Sequence, residues 1–556
     1  MFHARVYAQS RFEQDYRLRC DSILNYAVTP AFPRSIFFVL AKYATGKADS
    51  STAVFLDSLL EHPKGEMFWM YPVTGLYFYG KKNLPAAQKN KIWQAFTHYK
   101  ADSGITENHK LMYYASIFLM SGEDEKDTLK WFNNKTSSYN YKHSGYILKK
   151  WMDKAFVSGF AEFNSPHYGG YYLSPLLLLY DFSKDKEIKS HAEILIWRIL
   201  GDYLLHYRFS LIGGASSRVI DQDIFNKKDA HMAQTMGLFL EDRPVNSNYY
   251  TLFFALSSFN FPGVFYTMWK EEQEQDFQVM DAERSMQKIN GSEDKVISYL
   301  YSDSLYTLGS ISDGHNNEIQ TRTWSLDWAG KGKNNTLFGL NPYMSKAALA
   351  EYFPGNIDTV YKNILKQRPF YTDTNKWIGG SPYENLFQLQ NVLLGIYNFP
   401  DTLKNNSVSF FISKDIDSVK IENNILYARA GGIYFALRFS ATPVISEVQY
   451  GKRYRIRGKK PGFVLEVYPA SEYKSLGEFI RVIKLETVSF SLENVNYKTS
   501  DGIQMQLNAN GEKLFNGEAF TLPSDLIYKS PFISVANGIM AIHTKSRKVV
   551  FDWNKY

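Results

Sequence analysis

Three short stretches carry side chains whose types and spacing could do acid–base chemistry. The first is Thr106-Glu107-Asn108-His109, followed by the apolar run that begins at Leu111-Met112. Thr106 has the residue type of a helix N-cap, which places His109 in a first helical turn. The positive end of the helix dipole disfavours an imidazolium there. A neutral imidazole near pH 7 is what a general base needs. Asn108 beside it offers an amide donor for a carboxylate. The plainer alternative is that both residues only decorate a helix start.

The second stretch is Glu162-Phe163-Asn164-Ser165-Pro166-His167-Tyr168-Gly169-Gly170-Tyr171-Tyr172. A polar and aromatic loop, stiffened by a proline and freed by two glycines, suits exposed reactive groups. Tyr168 could donate a proton. Acting as a base would require a nearby cation, because a free phenol titrates near ~10. The third stretch is Gly213-Gly214-Ala215-Ser216-Ser217-Arg218. It is not a phosphate loop, since no Lys-Ser/Thr follows at the required spacing. Arg218 could hold a substrate carboxylate or supply the cation that a tyrosine base needs. Asn164, His167, Tyr172 and His231 are the candidate substrate contacts. Glu162, Asp181, Asp221 and Asp223 keep a paired-carboxylate hydrolase open as an alternative.

These stretches must be positioned by helices. Asp15–Val28, Pro33–Tyr43, Ser51–Leu60, Leu84–His98, Thr106–Met120, Tyr141–Val157, Glu187–Tyr207, Asp229–Leu240 and Asn248–Ser257 carry apolar residues at three- and four-residue spacing. Ser174-Pro175 reads as an N-cap and first helical residue opening Leu176–Phe182. His191 and His206 fall on one long apolar helix as core or rim residues. After about Asp281 the pattern changes to alternation, with Val, Ile, Tyr and Phe between Gly/Asn/Asp turns. Val296–Ser310, Gln320–Trp328, Ser407–Ile412, Asn424–Phe439, Arg453–Pro469, Phe479–Leu492, Ile503–Asn508, Ile533–His543 and Lys548–Trp553 read as strands. A helix is expected near 344–367. The fold class is multidomain α+β: an incomplete α/α toroid over 1–280, then an antiparallel β-sandwich over 281–556.

Composition narrows the partners. The 556 residues include 40 Tyr, 40 Phe and 10 Trp, an aromatic share of 16%. Flat rings with polar edges suit an open sugar-binding cleft, although many will be core. Lys plus Arg is 63 and Asp plus Glu 56, a net charge of +7 that favours anionic partners. No basic run, zinc-finger spacing or RNP-like strand points to nucleic acid. Cys20 is the single cysteine, which excludes an intrachain disulfide and a cysteine metal cluster. No segment has the length of a membrane span. Met1-Phe2-His3-Ala4-Arg5 does not open a signal peptide, so a periplasmic or secreted setting is expected with its leader removed. There is no His-Glu-x-x-His, no Gly-x-Ser-x-Gly and no dinucleotide fingerprint. A cofactor-free reaction is expected; a bound divalent ion and the oligomeric state stay open.

Glu107-Asn108-His109 on a helix start, followed by Asn164-Ser165-Pro166-His167-Tyr168 before an apolar helix, resembles the α/α-toroid polysaccharide lyases. These include the alginate, chondroitin/hyaluronan and heparinase-type groups. The resemblance implies a lyase that cleaves a uronic-acid-containing glycan by β-elimination. It implies Asn108 as carboxylate neutraliser, His109 as base, and Tyr168 as acid or as both acid and base. Arg218 is a looser transfer, and Asn164 and His167 compete for roles. The alternatives are the toroidal glycoside hydrolase and a non-catalytic acidic-glycan-binding protein.

Overall fold

The computed structural model describes residues 2–104, 106–124, 127, 129–241, 248–289, 292–313, 321–332, 334–341, 377, 381, 383–403 and 406–555. The helix expected near 344–367 lies outside the described residues.

Helices fill the first half. They are α1 (Phe2–Ala27), α2 (Ile36–Ala44), α3 (Ser50–Glu61), α4 (Met67–Tyr79), α5 (Ala86–His98), α6 (Glu107–Ser121) and α7 (Ser137–Ser158). Then come α8 (Gly169–Phe182), α9 (Lys186–His206), α10 (Asp221–Phe225), α11 (His231–Leu240), α12 (Tyr249–Leu256) and α13 (Gly263–Glu272). Residue character decides which helices lie inside. The sequences of α4 (MFWMYPVTGLYFY) and α8 (GGYYLSPLLLLYDF) are apolar all round and are buried almost throughout. Helices α2, α4, α6, α8 and α12 pack side by side, and α12 returns to α2. The more polar α3, α5, α7 and α9 pack outside them. The result is an α/α toroid.

Several helices depart from the sequence reading: α1 begins at Phe2 rather than Asp15, α10 and α13 were not expected, and α4 and α8 differ for physical reasons. The run 67–79 has no polar face, so no helical period betrays α4. Helix α8 begins at Gly169 rather than at Ser174, and Pro175 sits inside it. Gly170 explains the early start: a Cβ there would lie 2.1 Å from the Tyr250 ring. Only a bare backbone lets α8 approach α12 so closely.

Among the described residues, the second half forms three stacked antiparallel sheets of twelve, six and five strands. The long strand Phe277–Ile289 opens it, four residues ahead of the position at which the sequence pattern changes. Trp324 of the twelve-stranded sheet stacks on Phe463 of the six-stranded one at 5.1 Å, inside the sandwich core. Several long runs prove to be hairpins: Asn424–Phe439 turns at Gly431, and Ile533–His543 at Asn537-Gly538. Phe479–Leu492 is not one strand. Leu476–Ile483 is an amphipathic helix capped by Ser475, whose hydroxyl accepts from the Glu478 N–H, and a strand follows at Thr487–Phe490. The Ser475/Glu478 spacing was the legible signal for that helix.

The chain ends by returning to the helices. Tyr528–Lys529 pairs with Phe277–Ile289, and the strands after it extend the twelve-stranded sheet across α9. Trp553 closes the seam: its indole lies 3.8 Å from the His191 ring and 4.4 Å from Phe156, and its N–H donates to Asp153. His191 is therefore core. Truncating a buried tryptophan removes both packing and transfer energy. Trp553→Ala is expected to lower stability by about 3–5 kcal/mol, read as a lower denaturation midpoint. An unchanged midpoint would show that the terminal strands are not docked on the helices.

Candidate active site

The first turns of α4, α6, α8, α11 and α12 meet at one end of the toroid. Phe68 lies 5.1 Å from the His109 ring and 5.3 Å from Tyr171. Tyr171 lies 5.1 Å from Tyr250, and Tyr250 is 5.2 Å from His231. His231 stacks on His167 at 4.4 Å, and His167 is 5.1 Å from Tyr168. The Arg218 guanidinium covers the Tyr168 ring at 4.4 Å and acts electrostatically on His109, which closes the circuit. Phe68 is exposed, and His109, His167, Tyr168 and Tyr171 are half-buried, so the ring opens to solvent. Helix N-termini point their positive dipole ends outward, and Asn108, Pro166 and Asn248 accept several of the first-turn N–H groups here. Their convergence favours an anion.

Backbone conformation explains how the loops reach this point. Gly104 has φ +65, in the left-handed region, and a Cβ there would lie 2.6 Å from His109 Nδ1. Ser165 couples the tyrosine to the arginine: its hydroxyl donates to the Arg218 carbonyl and accepts the Tyr168 N–H. The Pro166 carbonyl accepts from Met232 N at the start of α11. Phe68, Ser165 and Tyr171 were not singled out by sequence. Aromatic residues at two helix starts give no signal until the helices are assembled.

Behind the ring runs a buried ionic chain. Glu162 Oε1 lies 3.1 Å from Arg218 Nε, and its other oxygen accepts from the Tyr172 hydroxyl at 3.0 Å. Glu107 accepts the Ala161 N–H at 2.9 Å and pairs with Arg284 of the strand Phe277–Ile289. Arg284 also donates to the Gly159 carbonyl, and Glu283 accepts the Phe160 N–H. The loop carrying Tyr168 is thus fixed from the β half of the molecule.

The eight candidate residues divide. His109, Tyr168, Arg218, His167 and His231 lie on the ring. Asn108, Asn164 and Tyr172 are buried at 0%, 5% and 2% exposure. Asn108 Oδ1 accepts from the Thr106 hydroxyl and from His109 N, which braces the first turn of α6. Its amide nitrogen has no partner among the described residues. Asn164 ties its loop to the third stretch, its amide nitrogen meeting the carbonyls of Gly213 and Ala215. Tyr172 is a strut under Glu162, stacked on Trp151 at 6.1 Å. Burial leaves these three no surface for a ligand in this conformation. The carboxylates raised for hydrolysis are also engaged: Glu162 as above, Asp181 by Tyr79 and Ser258, and Asp223 by His167 at 3.9 Å. The Asp221 side chain lies outside the described residues. Asp202, Asp281 and Glu283 lie close enough to share an ion. Arg198, Tyr528 and the Phe160 N–H already meet their oxygens.

No family model matches this chain, and no curated protein matches it. Among solved structures, it is similar to the Streptomyces coelicolor A3 chondroitin AC lyase in complex with chondroitin sulphate, at 10% identity and a TM-score of 0.42, covering 96% of this chain and 88% of that one. A tyrosine-to-alanine mutant of that enzyme matches at the same identity and TM-score. This likeness is too distant to assign a family. No helix among the described residues is long and apolar enough to cross a membrane.

Burial and then the Arg218 charge push the His109 imidazole down to about 4. It is therefore neutral across the physiological range. The unfolded value is near ~6.5, so the unfolded chain binds more protons between the two values. The stability tied to His109 is complete above about 6.5 and is lost as pH falls toward 4. An NMR titration of His109 should give a midpoint near 4, moving upward in Arg218→Gln. A midpoint near ~6.5 in the parent protein would contradict the contact.

Proposed function

We propose that this protein is a polysaccharide lyase that cleaves a uronic-acid-containing glycan by β-elimination. The observation that carries the reading is the convergence of an uncharged histidine, a tyrosine and an arginine at an opening formed by helix N-termini. A uronate needs all three. Its C5 proton is only weakly acidic, and removal leaves charge on the adjacent carboxylate. Arg218 neutralises that carboxylate and stabilises the enolate-like intermediate. His109 takes the C5 proton, and Tyr168 protonates the C4 oxygen as the glycosidic bond breaks, leaving a C4–C5 double bond.

The electrostatics link binding to basicity. In the free enzyme Arg218 helps to hold the imidazolium off His109. A carboxylate seated on Arg218 cancels that charge and places a negative group beside the ring. Opposite charge favours the protonated form, so the base strengthens when substrate arrives. Asn108 acts through His109 by holding the helix start. His167 and His231 form the opposite wall, and Phe68 and Tyr171 offer flat surfaces to sugar rings. A periplasmic or secreted setting for glycan degradation belongs to the same proposal.

Tyr168→Phe and His109→Ala should each cut turnover by at least about 100-fold, with unchanged thermal unfolding. The assay is a screen of alginate, glycosaminoglycans, ulvan and rhamnose–glucuronate polymers for new ultraviolet absorbance from the unsaturated uronide. New reducing ends without that absorbance would indicate a hydrolase, and near-normal turnover in both variants would defeat the assignment.

A further inference from the structure

A second recess lies far along the chain from the histidine–tyrosine ring. It is a cavity of about 650 Å³ lined by the six- and five-stranded sheets, by Gln278 and Tyr299 of the twelve-stranded sheet and by the helix Leu476–Ile483. That volume is in the range of small-molecule and saccharide sites. Its wall is aromatic. The rings of Tyr468 and Tyr473, both in the wall, meet edge to face at a corner, 6.0 Å apart at 81°. Tyr473 is braced from behind by Phe479 at 5.1 Å, so the corner is rigid. Both tyrosines are half-buried, and Val482 and Ile503 form an exposed mouth.

The polar part of the wall has one sign. Glu486 and Asp501 contribute carboxylates, and no Lys or Arg lines the cavity among the described residues. We propose that this cavity is a second glycan-binding site, and that it takes an uncharged, hydroxyl-rich saccharide. Perpendicular tyrosine faces suit the C–H faces of a pyranose ring. Carboxylates accept charge-assisted hydrogen bonds from sugar hydroxyls. The same carboxylates repel a uronate, so the cavity and the Arg218 opening discriminate between ligands of opposite character. The cavity does not depend on the lyase reading, because none of its groups belongs to the ring around His109.

Native gels containing mixed-linkage β-glucan, xylan, galactomannan or amylose test it, with alginate as the acidic control. At least one neutral polymer should slow the full-length protein, and Tyr473→Ala and Val482→Trp should each abolish the retardation. Val482 is solvent-facing, so its replacement blocks the mouth even if Tyr473→Ala fails to fold. Retardation by neutral polymer should persist in Tyr168→Phe, which leaves the Arg218–Glu162 pair in place. No retardation by any neutral polymer overturns the proposal. Retardation that survives Val482→Trp, or that is lost in Tyr168→Phe, overturns it as well.

Discussion

A carboxylate removed from water must find a cation or hydrogen bonds, because an unpaired buried charge costs several kcal/mol (~3–5). Glu162 is wholly buried in the loop before Tyr168, and this requirement organises what surrounds it. One oxygen holds Arg218, and the other takes the Tyr172 hydroxyl. The neighbouring Glu107 completes the arrangement by pairing with Arg284 from the β half. Arg218 cannot move away without stranding Glu162, so its guanidinium stays over Tyr168 and near His109. The cation of the proposed site is thereby fixed by the packing of two halves of the molecule.

The toroid supplies the second constraint. Helices α4 and α8 are apolar all round and bury most of their length, so their polar ends must face one opening or the other. The end formed by the starts of α4, α6, α8, α11 and α12 carries the positive dipole ends. Aromatic and imidazole rings fill the gaps between these ends. This places anion attraction and flat apolar surfaces in the same small volume, the combination a charged sugar polymer requires. The cavity in the sheets has the opposite polarity, with tyrosines and carboxylates.

Much of this was legible where local chemistry is strong. The Thr106–His109 helix start, the Pro166 loop and the switch from helical to alternating periodicity could be read directly. Helix α4 could not, since a helix buried on all sides has no amphipathic period. Pro175 misled because the proline rule is local, while Gly170 obeys the packing of α8 on α12. Phe479–Leu492 read as one strand through its Val, Ile and Phe residues, although Ser475 and Glu478 signalled a helix cap. At the site, Asn108, Asn164 and Tyr172 have the types of ligand contacts, but burial turned them into braces. Glu162 looked like a hydrolase carboxylate because its partner, Arg218, lies more than fifty residues away in sequence. Partners distant in sequence are what single-chain spacing cannot reveal.

The most direct measurement is a crystal structure of Tyr168→Phe with a uronate-containing oligosaccharide that the screen identifies. The account predicts a uronate carboxylate within about 3 Å of the Arg218 guanidinium, and the sugar C5 within about 3.5 Å of a His109 ring nitrogen. An oligosaccharide bound with its carboxylate turned away from Arg218, or seated at another face of the protein, would contradict it.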